Sequence, residues 1–345
     1  MSTITAVRES QVVTALPTHR AYLTGLNSLR GLAALLVCLY HFTNGALPKV
    51  VVPTTQWLFA RGTLGVEVFF VISGFIIPYS LVGKNHQARG ILAYLKKRIL
   101  RINPPAYVVL TLTIGQAFFI DKIIQHGTKY THAITGPSLL HNFLFTIPYT
   151  HYTWIVGVLW TLAIEFQFYL FVGVLFTGLF ERKSVGVFVS VYLAVAALYY
   201  FFPAQDSFLQ YGALFALGGV ALLWQQQRLS RLLYGGLLML FSGLLYWQLG
   251  AYVAAAGLLT ALALNSLQVQ VPGLGFLGKI SYSFYLLHIL VGTSCEFFLV
   301  KVIQPTSDAN KLFITLLAIV AAIGSSYIFY RFVEQPCMRL AARQG

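Results

Sequence analysis

Charge is scarce in this chain: 9% of its 345 residues are Asp, Glu, Lys or Arg, against about 25% in a soluble globular domain. That shortage, with 58% hydrophobic residues and a mean hydropathy of +0.75, excludes a water-soluble fold. Acidic residues are rarest, nine against 23 Lys and Arg. The net charge of +14 does not mark a nucleic-acid binder. Most basic residues fall in short connections between apolar runs, where membrane topology and anionic ligands account for them better. Cys38, Cys295 and Cys337 are too scattered for a disulfide framework or a metal site. His126, His132, His141 and His151 show no metal-like pairing, so no metal is expected. Residues 1–25 lack a signal-peptide core, and the first apolar run is too long for a cleaved signal. There is no soluble domain, low-complexity tract or clear internal repeat.

What remains is a series of apolar runs. Ten are long enough to span a bilayer, near 26–47, 64–82, 103–120, 158–180, 185–202, 207–225, 231–249, 251–267, 276–300 and 311–332. A shorter one, 138–148, reads as re-entrant or interfacial. The expectation is an all-α integral membrane protein of about ten transmembrane helices, with a cytoplasmic tail at 1–25, a membrane domain at 26–336 and a cytoplasmic tail at 337–345. The positive-inside rule orients it. With the N-terminus in the cytoplasm, the second connection also lies there and holds Lys84, Arg89, Lys96, Lys97, Arg98 and Arg101. Arg182 with Lys183, Arg228 with Arg231, and then Arg331, Arg339 and Arg343 follow on the same side. Both termini are then cytoplasmic, in a plasma (inner) membrane.

Arg30 and His41 carry the most information. They stand eleven residues apart in LNSLRGLAALLVCLYHFTNGAL, so a helix presents them on nearly one line, about 16 Å apart. Ionisable groups inside a membrane are costly and are functional candidates; the alternative is that Arg30 snorkels and His41 bonds a neighbouring helix. Helix rise puts His41 about 9 Å below the outer end of its span and Glu165, in GVLWTLAIEFQFYL, about 10 Å below the start of its own. The two therefore fall at matching depth. Glu165 shares a face with Thr161 and Tyr169; it can orient His41, bind an acceptor hydroxyl, or make a structural bond.

Residues 91–102, ILAYLKKRILRI, read as an interfacial amphipathic helix that Pro104 and Pro105 end before the next span opens. Arg98 and Arg101, three apart, can clamp a polyphosphate with planar forks or hold anionic headgroups. In LGVEVFFVISGFIIPY, Glu67 sits near the outer surface and Ser73–Gly74 admits close helix packing. His288 is expected to be a satisfied core histidine. Tyr130, Tyr149, Tyr152 and Trp154 can stack on sugars or form an interfacial belt. Arg331 and Glu334 are expected to pair with each other or with the basic connection.

These fragments, in this order, resemble the acyltransferase 3 family of multi-span membrane acyltransferases, from about Leu26 to Pro336. The likeness rests on LNSLRGLAALLVCLYHF, LGVEVFFVISGFII, KKRILRINPPAY, LWTLAIEFQFYL, GKISYSFYLLHILV and RFVEQP. The family's Arg-x10-His element falls on Arg30 and His41, and its Arg-x-x-Arg element on Arg98 and Arg101. Asn27 stands where Asp is common, and Thr161 where Ser is usual. Some relatives carry an appended esterase-like domain, which is not expected here.

The resemblance implies a histidine essential to acyl transfer and arginines linked to acyl-CoA. The expected protein is a membrane O-acyltransferase, acetyl being the expected unit. It would move acyl groups from cytoplasmic acyl-CoA to a hydroxyl of a cell-surface or exported glycan. His41 and Glu165 are the expected catalytic pair, with His41 as general base. Arg30, Arg98 and Arg101 hold the donor's phosphates, and a pantetheine arm of about 15–20 Å covers the rise from Arg30 to His41. Acyl-CoA is the donor substrate, with no tightly bound cofactor. The partners are a carbohydrate or glycolipid acceptor and membrane lipids, with no nucleic acid. The alternatives are acylation of a small hydroxylated molecule such as a macrolide, and transport of an anionic solute.

Overall fold

The computed structural model describes residues 19–44, 48–83, 90–124, 126–181, 184–266 and 271–343. Most of the N-terminal tail and the expected basic residues Lys84, Arg89, Arg182 and Lys183 lie outside the described residues. Among those described there are helices and no strand. Eight helical stretches are long and apolar enough to cross a membrane, and two more, Val185–Phe201 and Ala251–Ser266, are apolar but shorter. Leu232, Phe298, Trp247 and Met239 are among the large apolar side chains on the outside, as a bilayer solvent requires. The protein is an all-α integral membrane protein, because only a helix satisfies its own backbone in lipid when no closed barrel is formed.

The helices that build the site are α1 (His19–Asn44), α2 (Pro53–Phe59), α3 (Gly65–Tyr79), α4 (Ile91–Phe119), α5 (Gly136–Leu144) and α6 (Trp160–Phe176). Next come α7 (Val185–Phe201), α8 (Phe208–Gln225), α9 (Arg231–Leu249) and α10 (Ala251–Ser266). The last are α11 (Pro272–Lys279), α12 (Ser281–Leu287), α13 (Ser294–Ile303), α14 (Asp308–Phe329) and α15 (Gln335–Ala342). Their starts follow local chemistry. Thr135, Ser207, Ser230 and Ser307 each accept a backbone N–H from three residues on, capping α5, α8, α9 and α14.

Close packing rests on small residues, as it does between helices in membranes generally. A β-carbon on Gly74 would strike the backbone of Phe215, and one on Gly218 the carbonyl of Val71, so α3 and α8 meet backbone to backbone. Gly74 thus does what the Ser73–Gly74 pair promised. Gly62 lies on Leu36 and Gly65 on Ala33, which makes α1 and α3 antiparallel. Gly31 lies under the carbonyl of Leu274, and Gly278 under that of Asn27, pressing α11 onto α1.

Two expectations are corrected. First, Pro104 and Pro105 end nothing: α4 runs through both for 29 residues. A proline in a membrane helix persists where neighbours support the helix, and here the Tyr282 hydroxyl donates to the carbonyl of Ile102, next to the Leu100 and Arg101 carbonyls that the prolines leave without their helix donors, at 2.7 Å. Second, the run 276–300 is not one helix. The chain breaks at Ile280 (φ −99°, ψ 9°) and widens into a π turn over His288–Thr293. Residues 337–342 lie in α15, which packs on α4 and buries Ala341.

Candidate active site

A cavity of about 860 Å³ lies between α1, α3, α4, α6, α12 and α15. It follows α3 from Val66 to Leu81, a length of about 22 Å by helix rise. At one end it is lined by Lys97, Arg98, Arg101, Met338 and Ala342; at the other by Val66, Phe69, Thr161 and Tyr285. Arg30, Ser73 and Glu165 line it between. The arginines proposed from spacing, Arg30, Arg98 and Arg101, therefore share one cavity, although Arg30 comes from a different helix.

The basic end is built by neighbours from several elements. Arg98 donates to Ser80 Oγ at 2.8 Å and its guanidinium stands 5.6 Å from the Tyr94 ring and 5.5 Å from that of Tyr169, a cation beside two rings that meet edge to face. Glu334 accepts from the Ser283 backbone N–H at 3.2 Å and from Ser283 Oγ at 2.5 Å. It does not pair with Arg331, whose guanidinium donates to Gln335 at 3.3 Å. Glu334 instead supplies the negative charge that acts on Arg30 and Arg101, and it holds the first turn of α12 by a backbone donor that the helix leaves free.

Glu165 accepts from Ser73 Oγ at 3.2 Å and is hydrogen-bonded by Tyr169. Its company is the arginine end, since its charge acts on Arg30. Because Gly65 lies on Ala33 and α1 and α3 are antiparallel, Ser73 falls about 12 Å further toward the basic end, past Arg30 and opposite the stretch of α1 near Gly25. His41 lies about 12 Å from Ala33 in the opposite direction, so Glu165 and His41 do not share the depth expected for them, and Glu165 lies on the Arg30 side. The estimate failed because it counted inward from guessed span ends.

His41 stands behind the inner end of the cavity rather than on its wall. Its ring lies 5.2 Å from that of His288. His288 lies 5.9 Å from Tyr285, and Tyr285 lies 6.2 Å from Phe69, both of which line the cavity. The Tyr285 hydroxyl accepts from Thr161 at 3.1 Å and donates to the Val158 carbonyl at 3.3 Å, closing α12 against α6 there. Sequence reasoning passed over Tyr282, Tyr285, Ser80 and Tyr94, and took His288 as filler. One signal was present: in SYSFYLLH, Ser281, Tyr285 and His288 recur at helical spacing within an apolar span. Glu67, expected near the outer surface, is half-buried, and one of its carboxylate oxygens has no partner among the described residues.

A helical membrane bundle with a cation-lined cavity leading toward a buried histidine pair defines the class. The chain matches the acyltransferase domain family over residues 23–331 and belongs to that family. It is similar to the O-acetyltransferase OatA of Staphylococcus aureus strains NCTC 8325 and COL, 34% identical over 169 residues, or 47% of this chain and 26% of each relative. It is also similar to SACOL0978 of strain COL, likewise named for O-acetyl transfer, 31% identical over 185 residues, 48% of this chain and 27% of the relative. The matched region spans about a quarter of the length of those relatives. No solved structure matches this chain.

Proposed function

We propose that this protein is a membrane O-acyltransferase that moves an acetyl group from cytoplasmic acetyl-CoA to a hydroxyl of a cell-surface or exported glycan. The observation that carries the reading is the single cavity that runs from Lys97, Arg98 and Arg101 past Arg30 to Tyr285, behind which stand His288 and then His41. The phosphates of a nucleotide carrier match planar arginine forks; its thin pantetheine arm suits a long, apolar passage. Names for O-acetyl transfer among the relatives support the acetyl unit, and the basic connections support a cytoplasmic donor.

In this reading His41 takes the hydroxyl proton as the acceptor oxygen attacks the thioester carbonyl. The C–O bond forms, the C–S bond breaks, and the imidazolium returns the proton to the departing thiolate, so the histidine ends neutral. Glu165, bonded to Ser73 and Tyr169, balances the positive charge near Arg30 rather than orienting His41.

The test has two arms. Purified wild-type protein should release free thiol from acetyl-CoA, and surface glycans of cells that carry it should gain the mass of an acetyl group. His41→Ala should reduce both by about 10²- to 10⁴-fold, the usual loss for a general base. Normal turnover in a well-expressed His41→Ala protein would remove His41 from the reaction. Unchanged glycans alongside thiol release would remove the glycan.

A further inference from the structure

We propose that His288 is a positioning residue for His41, accepting a hydrogen bond from its ring and so fixing which of its nitrogens is the base. The inference rests on the reading of His41 as the base of acyl transfer.

The argument begins with tautomers. His288 Nδ1 lies 2.8 Å from the carbonyl of Tyr285 and 3.2 Å from that of Phe284. A carbonyl only accepts, so Nδ1 carries the hydrogen, and in the neutral ring Nε2 is left as a bare lone pair. That Nε2 is buried and has no hydrogen-bond partner among the described residues, on a side chain only 1% exposed. A buried acceptor left unpaired is costly and asks for a donor.

Its surroundings narrow the donor. The rings around His288 are His41, Phe42, Phe284 and Tyr285. The phenylalanines have nothing to donate, and the Tyr285 hydroxyl is directed to the Val158 carbonyl. His41 remains. The ring centroids are 5.2 Å apart, about the spacing of two imidazoles joined by an N–H···N bond of roughly 2.9 Å, so a small rotation of either ring completes it. The spacing is also held. A β-carbon at Gly292 would collide with the Phe42 ring, so the widened turn that starts at His288 is pressed onto α1 next to His41. Widened turns of this kind recur at functional sites.

The consequence for the reaction is a proton kept in place. When one nitrogen of His41 takes the hydroxyl proton, the other still donates to His288, and the new positive charge is shared with a neutral lone pair rather than left in apolar surroundings. The carboxylate of a serine-protease triad does the same for its histidine; here the partner adds no charge. His288 itself gains and loses no net proton.

The test uses the whole protein in lipid nanodiscs with 15N-labelled histidine rings, His41 being assigned with His41→Ala. In wild type the two rings should show a through-hydrogen-bond 15N–15N coupling and a single His41 tautomer. Activity with acetyl-CoA is measured for His288→Leu and His288→Gln, and folding is checked by thermal unfolding. Leu should lower kcat about 100-fold with the donor KM unchanged, and Gln, which keeps an acceptor, should recover about tenfold of that.

A folded Leu variant with kcat within twofold of wild type, or a loss confined to KM, would overturn the proposal while His41→Ala still scored the parent reading. Absence of the coupling in wild type would overturn it whether or not either variant folds. If wild type transferred no acetyl group, the parent reading would fall and the spectrum alone would decide the His41–His288 bond.

Discussion

Arg98 shows how much one side chain can be asked to do. Its fork donates to Ser80, and its charge stands within cation–π reach of both Tyr94 and Tyr169. Lysine keeps the charge but has neither the fork nor the planar face. Arg98→Lys is therefore expected to weaken acetyl-CoA binding by about tenfold and Arg98→Ala by about a hundredfold, read by calorimetry, with the thermal midpoint moved little. If binding were normal and only membrane insertion failed, Arg98 would be a headgroup anchor. The arginines were legible in the sequence because charge in an apolar chain is conspicuous. Their aromatic flanks were not, since Tyr94 and Tyr169 are separated by 75 positions and tyrosines abound in this chain. His288 is the buried histidine that was expected, bonded at Nδ1 but with no partner for Nε2 among the described residues, a difference between two nitrogens that spacing does not reveal.

At the scale of elements, the path of the helices was largely readable, because a lipid-facing helix must be a long apolar run. Junctions were not. The break at Ile280 and the passage of α4 through Pro104 and Pro105 depend on contacts with other helices, and local propensity yields to such contacts. Glycines mark where those contacts are tightest. Gly278→Ala would drive a β-carbon into the Asn27 carbonyl, whereas nothing stands near Gly243. The first is expected to destabilise the protein by about 1–3 kcal/mol, as overpacking does, and to lower its thermal midpoint in detergent. The second removes a helical glycine and should be neutral or raise it slightly. Equal behaviour of the two would mean that α11 does not press on α1 as described.

For the whole molecule, the proposed reaction has sides. The donor would enter where the cations gather and the acceptor would come from the opposite end, where α5 and the 126–156 connection lie. In sealed vesicles holding the cationic end inward, transfer to an external acceptor should require acetyl-CoA trapped inside; if external acetyl-CoA alone sufficed in intact vesicles, the sidedness would be wrong. That the chain is helical and crosses a membrane was its most legible property, since composition sets it. The cavity was not legible, because six helices contribute to it and no single stretch records their arrangement.

The helical stretch that holds Arg98 and Arg101 continues to Ile124, 34 residues in all, about 50 Å of rise. Near its far end Asp121 accepts from the backbone of Tyr130 at 2.8 Å and from the backbone of Thr131 at 2.7 Å, tying the opposite connection to the same rod. Between the two ends, the Tyr282 hydroxyl holds the rod at Ile102. A rod tied at its far end and braced beside its arginines is a strut: it fixes the separation between Arg101 and Asp121 at about 30 Å by helix rise, so the cationic end and the 121–131 turn are held in one frame.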